Sequence, residues 1–279
     1  MQLVERIQVI KTPELSLLCH RTKNPYNLAN FYVRQEFFHL GNVLIYFDLD
    51  FVLRRLPAYQ ALPAQTSQQV LRQVAADWRS FFAACQAYQR NLRKFLGAPR
   101  PPQYKSKAGE SVVTFTNQQW RIAGGQVYFP RKADLPPIKT RVTEFQQVRV
   151  IPKGIYYVVE IVYNMNPTDL GLNKHRGLSI DLGVSNLITA ANNVDLPRFT
   201  IKGGTAKSIN QFFNKCLAHL QSIAARTNGR QTTKRMGHLS RVRANKLGDI
   251  FHKASRAVLD FCVWHDIGTI AIGYNPLWK

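Results

Sequence analysis

The chain has 279 residues, of which 45% are hydrophobic, enough for two domains with real cores. Its 38 Lys+Arg against 16 Asp+Glu leave a formal charge of +22, far more than solubility requires, so a polyanionic partner is expected, with nucleic acid ahead of an anionic membrane. No uncharged apolar run reaches the ~18 residues of a membrane span, the opening Met-Gln-Leu-Val-Glu-Arg does not read as a signal peptide, and the scattered Cys19, Cys85, Cys216 and Cys262 form no C-x-x-C pair. No membrane partner, no zinc site and no disulfide framework are therefore expected, and the reading is a reduced, cytoplasmic protein.

In chain order, residues 3–11 alternate apolar and polar as a strand does, and Asn24 to Leu40 turns helical. In that helix Leu28, Phe31 and Phe38 are expected to face a core, while Asn30, Arg34 and Gln35 look outward, onto RNA or onto plain solvent. Thr66-Ser67 opens an amphipathic helix in which Val70, Val74, Trp78, Phe81 or Phe82, and Cys85 recur at helical spacing up to about Leu96, where Gly97 ends it. A stiff basic segment follows, Ala98-Pro99-Arg100-Pro101-Pro102-Gln103-Tyr104-Lys105-Ser106-Lys107. Its prolines hold the backbone extended, so that Arg100, Lys105 and Lys107 suit phosphates and Tyr104 suits a stacked base, with a plain linker as the rival reading.

From Ser111 to Asn164 the pattern is β-rich, with runs at 112–115, 126–129, 147–151 and 155–161, the last two joined as a hairpin by Pro152-Lys153-Gly154. With the first strand they suggest a small barrel interrupted by the helices of residues 24–97. Asn166-Pro167 and the polar residues to Arg176 read as a linker. Gly177 to Ala191 then reads as a buried strand, a tight turn at Gly183 and a second strand, with Asp181 near the hairpin mouth. An ionised aspartate in an apolar strand costs several kcal/mol unless compensated. Three readings of Asp181 stand side by side: a structural turn cap, the metal-binding acid of a ribonuclease-H-like first strand, and the first phosphate loop of an actin or Hsp70-type ATPase.

Pro197 to Lys202 supplies a third strand, ended by Gly203-Gly204; residues 206–228 and 238–266 read as long helices and 268–273 as a buried strand. Three strands, helices and a fourth strand is the order of a ribonuclease-H-like core. Between Lys202 and Arg256 there are 12 Lys+Arg against the single acid Asp249, whereas solvated helix faces normally mix signs. Lys207, Lys246, Lys253 and Arg256 are thus candidates for phosphate contact with a steep salt dependence.

Several segments, in order, resemble the TnpB (OrfB) family of insertion-sequence-encoded, RNA-guided DNA endonucleases. They are Asn27 to Gln35, Gln69-Val70-Leu71, Arg100 to Lys105, Val150 to Gly154, Ser179 to Val184, Lys207 to Gln211, Asp249 to Arg256, and Ile272 to Lys279. No second phosphate loop or adenosine motif supports the ATPase reading. The resemblance implies a multi-domain α+β protein: a wedge-like β-barrel from residues 1–45 and 111–170, a helical recognition insertion at 46–110, and the N-terminal part of a RuvC-like, ribonuclease-H-like domain at 171–279. It also implies guide RNA and target DNA as partners, and Asp181 as a catalytic, Mg²⁺-binding acid. Against that pattern, no Glu follows Glu160, and Gly273 stands where many relatives carry the second catalytic acid. Of the other acids, Asp195, Asp249, Asp260 and Asp266, the last three are expected on helices rather than facing Asp181. Family members continue past Trp278-Lys279 into more RuvC sequence, a four-cysteine zinc ribbon and a last catalytic Asp. The expectation is a TnpB-like protein that binds RNA and DNA with an incomplete nuclease site and weak or no Mg²⁺ binding. The alternatives are an active nuclease completed by a longer product or a second chain, and a gene fragment without function.

Overall fold

The structure, a computed structural model, describes residues 1–227 and 232–273. The chain divides into two units, Met1–Asn166 and Pro167–Lys279. The first contains β1 (Gln2–Ile10), α1 (Pro13–Leu40), α2 (Tyr46–Leu53), α3 (Pro57–Gln60), α4 (Ala64–Arg90), β2 (Val113–Thr116), β3 (Arg121–Ala123), β4 (Gln126–Tyr128), β5 (Ile138–Lys139), β6 (Gln147–Pro152) and β7 (Tyr156–Asn164). An antiparallel sheet runs β1-β7-β6-β2, and a small separate one runs β3-β4-β5. Among the described residues neither sheet closes on itself, so the expected barrel is replaced by an open four-stranded sheet with a three-stranded companion. Four-residue β2 pairs only with β6, and β1 only with β7, which leaves both edges unjoined.

Helix α1 begins eleven residues earlier than the sequence pattern suggests, at Pro13. Thr12 caps it, its Oγ1 accepting the Leu15 N–H at 3.3 Å. Gly41, in the left-handed conformation at φ 70°, ends it. Asn24-Pro25 imitates a start signal but lies in the helix interior. Two cores share this helix. Leu15, Leu18 and Cys19 pack with Phe115, Val150 and Tyr157 of the sheet, whereas Tyr26, Ala29 and Val33 pack with Leu49, Leu71, Val74 and Trp78 of the helices. The change of partner falls inside α1. Helix α4 starts at Ala64, so Thr66 and Ser67 lie buried in its first turn, and Ser67 Oγ donates to the Tyr59 carbonyl at 2.7 Å. It stops at Arg90, short of Leu96, because Asn91 leaves helical dihedrals at φ −152°.

The second unit contains β8 (Gly177–Leu182), β9 (Asn186–Asn192), β10 (Phe199–Lys202), α5 (Gly204–Thr227), α6 (Lys234–Trp264) and β11 (Thr269–Ile272). Its sheet runs β10-β9-β8-β11, antiparallel except for the parallel pair β8–β11. Ala254, Val258 and Cys262 of α6 cover Leu178, Ile180, Ile188 and Ala190 on one sheet face. Strand β11, expected to be buried, is exposed at all four residues, since it is an edge strand with a neighbour on one side only among the described residues. No helix among the described residues is long and apolar enough to cross a membrane.

Candidate nucleic-acid interface

The Pro-rich segment is laid along a polar stripe of α1. Lys23, Asn27, Asn30 and Arg34 recur at helical spacing, and all four bond the backbone of residues 102–107. Asn27 clasps Lys105 twice: its Nδ2 donates to the Lys105 carbonyl at 2.8 Å, and its Oδ1 accepts the Lys105 N–H at 2.8 Å. Asn30 Nδ2 and Arg34 Nη1 both donate to the Pro102 carbonyl at 3.1 Å, and Lys23 Nζ donates to the Lys107 carbonyl. An extended proline-rich backbone makes no internal hydrogen bonds, so its carbonyls must find outside donors.

This arrangement corrects two expectations. Asn30, read as outward-facing, is fully buried, its Oδ1 accepting the Trp78 indole N–H at 2.8 Å, while Phe31 and Phe38, assigned to the core, are exposed. The face of α1 that packs on the helices is that of Tyr26, Ala29 and Val33, and Asn30 on it supplies the acceptor that the buried Trp78 indole requires. Asn30 is therefore withdrawn as a nucleic-acid contact and takes a structural role. Arg34 is half-buried, its guanidinium lying 5.4 Å from the Tyr104 ring centroid and 5.2 Å from that of Phe38. Tyr104, Arg100 and Lys107 remain exposed.

Lys105 points the other way, into a polar cleft of about 560 Å³ lined by Gln69, Arg72, Gln73 and Asp77 of α4, by Ser111 and Thr114, and by Gln147 and Arg149 of β6. Its Nζ donates to Ser111 Oγ at 2.6 Å and sits 4.1 Å from the Tyr26 ring centroid. Burial holds its ammonium below the ordinary lysine range, with Asp77 acting weakly in the opposite direction. Burial also raises the Tyr26 phenol, which donates to Asp77 Oδ2 at 2.7 Å. Arg149 is oriented by Glu160, a buried carboxylate on β7 that accepts from Arg149 Nη2 at 2.8 Å and from Arg6 Nε at 3.0 Å on the opposite neighbouring strand. Among the described residues Arg149 Nε is buried without a hydrogen-bond partner. Sequence reasoning missed Arg72, Gln73, Gln147 and Arg149 as lining residues. The signal was present in the polar alternate positions of Gln147-Val148-Arg149-Val150 and in the polar face Gln69-Arg72-Gln73.

In the second unit Asp181 is exposed rather than buried. Strand β8 alternates: Leu178 and Ile180 face α6, while Ser179 and Asp181 face the opposite, uncovered side. The apolar composition of the stretch suggested burial on both faces, but helices cover one. Asp181 lies opposite Thr189 and makes no hydrogen bond or ion pair with another described residue. A Cβ at Gly273 would sit 3.8 Å from Asp181 Oδ1. The neighbouring turn is tightly held. A Cβ at Gly183 would meet the Asn186 carbonyl oxygen at 3.0 Å, one at Gly203 would meet that of Val184 at 2.3 Å, and Gly203 N–H donates to the Ser185 carbonyl at 2.8 Å.

The other acids are engaged or remote. Asp249 pairs with Lys253 at 2.7 Å and Asp260 with Arg256 at 2.9 Å, both along α6, and Asp195 sits in a turn at φ 56°. Asp266, expected on a helix, lies past the end of α6 at φ 55°, accepting the Asn173 N–H at 3.0 Å. Among the described residues no three His, Cys, Asp or Glu side chains gather into a metal-holding group. The donor set near Asp181, one carboxylate beside a glycine, does not fit a two-cation site, which needs several carboxylates around a phosphate.

Of the predicted cations, Lys207 Nζ donates to Ser185 Oγ at 2.9 Å, which ties α5 to the β8–β9 turn. Lys246, Lys253 and Arg256 are exposed on α6. The i,i+4 pairs of the last two are solvated and contribute only a few tenths of a kcal/mol, so both cations stay available to a phosphate. Arg243 is held by Asn210 Oδ1 at 2.6 Å and stacks 4.8 Å from the Phe213 centroid. Arg230 and the family-like residues 274–279 lie outside the described residues.

Fold and charge together define a strongly basic, mixed α/β protein of two units. Residues 160–278 match the OrfB_IS605 family, described as "Probable transposase". The match takes in nearly all of the second unit. No curated protein matches the chain. Two solved structures are similar in part. One is a chain of a Cas12f1–sgRNA–target DNA complex, at 12% identity and TM-score 0.49, covering 92% of this chain and 63% of that one. The other is from a CRISPR-Cas12f ternary complex, at 14% identity and TM-score 0.31, covering 93% and 62%. The chain thus spans less than two thirds of the length of either.

Proposed function

We propose that this is a TnpB-like, transposon-associated protein that binds a guide RNA and target DNA, with a nuclease centre to which its described residues bring a single carboxylate. The cleft carries the binding reading. Lys105, Arg72 and Arg149 converge there with amide and hydroxyl groups, a mixture suited to a phosphate backbone and base edges. The cations of α5 and α6 supply a second phosphate-facing surface, and the order β10-β9-β8-β11 supports a RuvC-type, ribonuclease-H-like reading of the second unit.

The deciding experiment is purification from cells and sequencing of the RNA that accompanies the protein, for the wild type and for Arg72→Glu with Lys105→Gln. A defined RNA that the double variant loses supports the reading; RNA of random sequence, or none, removes it. One observation favours the active nuclease, namely that the Asp181 carboxylate is exposed and makes no ion pair with another described residue. A cleavage assay on guide-matched plasmid with Mg²⁺ is expected to show no nicking by this chain alone. Metal-dependent nicking abolished by Asp181→Asn would restore the nuclease.

A further inference from the structure

Helices α5 and α6 pack against each other, yet the middle of the pair is left uncovered. Residues 207–223 of α5 and 237–253 of α6 include no buried residue. Ile209, Phe213, Cys216 and Leu220 nevertheless recur at helical spacing on α5, and Leu239 and Val242 meet them from α6. Phe212 stands beside them, 64% exposed. Two cavities of about 280 and 340 Å³ share Phe212, Leu239 and Val242, so they form one groove that runs from Ser208 to Leu220 of α5. At 1.5 Å per residue this is about 18 Å, the length of roughly three turns of helix.

The rim says what kind of partner fits. Arg243 and Lys246 flank the groove at one end, and Arg235 and His238 at the other. Asn210 and the Phe213 ring hold the Arg243 guanidinium in place. Neither helix offers these cations an acid before Asp249, which pairs with Lys253. An anionic occupant is therefore favoured, and the floor decides which one. A base laid on Phe212, Leu239 and Val242 finds no hydrogen-bond partner for its edge, so nucleic acid suits the rim and not the floor. An extended peptide would strand its backbone amides, because both walls are helices whose own groups are bonded internally. A helix satisfies its own backbone and needs only apolar side chains beneath it and acids on its flanks.

We propose that the groove between α5 and α6 docks an acidic, amphipathic helix of a protein partner. Its apolar residues at i, i+3, i+4 and i+7 lie on the floor, and its carboxylates meet Arg243 and Lys246 at one end and Arg235 and His238 at the other. The test is a titration of the full chain, after nuclease treatment, with a fluorescein-labelled synthetic helix of about 14 residues that carries Leu at those spacings and Glu on both flanks. It is expected to bind at least about tenfold more tightly than a peptide of the same composition with Leu and Glu scrambled. Phe212→Ser should weaken binding about tenfold and Phe212→Leu should largely keep it, with an unchanged far-ultraviolet spectrum and melting temperature showing that the fold is intact. Arg235→Glu with Lys246→Glu should reverse the preference, so that a Lys-flanked version of the helix binds better than the Glu-flanked one. Four outcomes would each overturn the proposal. They are no binding, or equal binding of the scrambled peptide, which is attraction to net charge alone; indifference to Phe212→Ser; failure of the charge swap; and a loss of RNA affinity in Phe212→Ser as large as the loss of peptide affinity, which assigns the groove to nucleic acid.

Discussion

Asn30 joins two parts of the first unit through opposite ends of one amide, accepting from Trp78 and donating to Pro102. Asn30→Ala leaves the buried indole N–H without an acceptor, and urea denaturation should show a loss of about 1–3 kcal/mol. Arg34→Ala should cost under about 1 kcal/mol, because the Pro102 carbonyl keeps its bond from Asn30. Asn30, Arg34 and Gln35 read as an outward polar face, but such a face alone does not say whether water, RNA or the protein's own backbone lies on it. Glu110 makes a second residue-scale case. Burial pushes its carboxyl up, yet Lys11, Ser16 and Tyr157 donate to it at 2.7, 2.7 and 2.8 Å and together hold it below the ordinary value of 4.5. A depressed folded value means stability that is fully present above about pH 4.5 and is lost as pH falls through the folded value. Glu110→Gln should therefore flatten the acid limb of a stability-against-pH curve while changing little of its slope above that range.

At the level of elements, the β8–β9 hairpin was legible from the period-two pattern and Gly183, as was the β6–β7 hairpin, whose turn uses Gly154 at φ 78°. What was not legible is which faces would be covered. Strands β8 and β11 are apolar enough to read as buried, but α6 covers one face of β8 and leaves Asp181 open on the other, while Ile272 is exposed because β11 lies at the sheet edge. Strands β3 and β5, of three and two residues, are too short to show a period at all. The gap beside Asp181 suggests an informative substitution. Gly273 is not among the positive-φ glycines, and the nearest atom to an added Cβ is the Ile180 carbonyl oxygen at 3.5 Å, so Gly273→Asp fits the backbone and sets a second carboxylate against the first. Without divalent ions the like charges should lower the melting temperature; with Mg²⁺ or Mn²⁺ the variant should regain it, while wild type and the added Asp181→Asn change should respond weakly.

For the molecule as a whole, charge is the governing quantity. No Asp or Glu occurs from residue 196 to 248, a stretch that includes all of α5 and the first half of α6. RNA affinity measured against salt should fall linearly on a logarithmic plot, and Lys246→Glu with Arg256→Glu should lower the magnitude of the slope by roughly 2, one for each lost phosphate contact. Equal charge changes at Lys11 and Arg21 serve as the reference and should leave it nearly unchanged. Composition disclosed this polarity at once, but not the cleft, which exists only where α4 and β6 meet.

The pairing of β1 with β7, from Gln2 opposite Asn164 to Ile10 opposite Tyr156, sets a timetable for synthesis in the cell. The strand that leaves the ribosome first waits for the last strand of its unit, and at about 5–20 residues per second that wait is on the order of 10–30 s. Over that interval Leu3, Ile7 and Val9 have no sheet to join, although α1 can already form behind them. Closing so long a loop places the unit among slow-folding, high-contact-order topologies. A nascent chain stalled before residue 156 should thus expose β1 to proteases and holdase chaperones, and one extended past residue 164 should not.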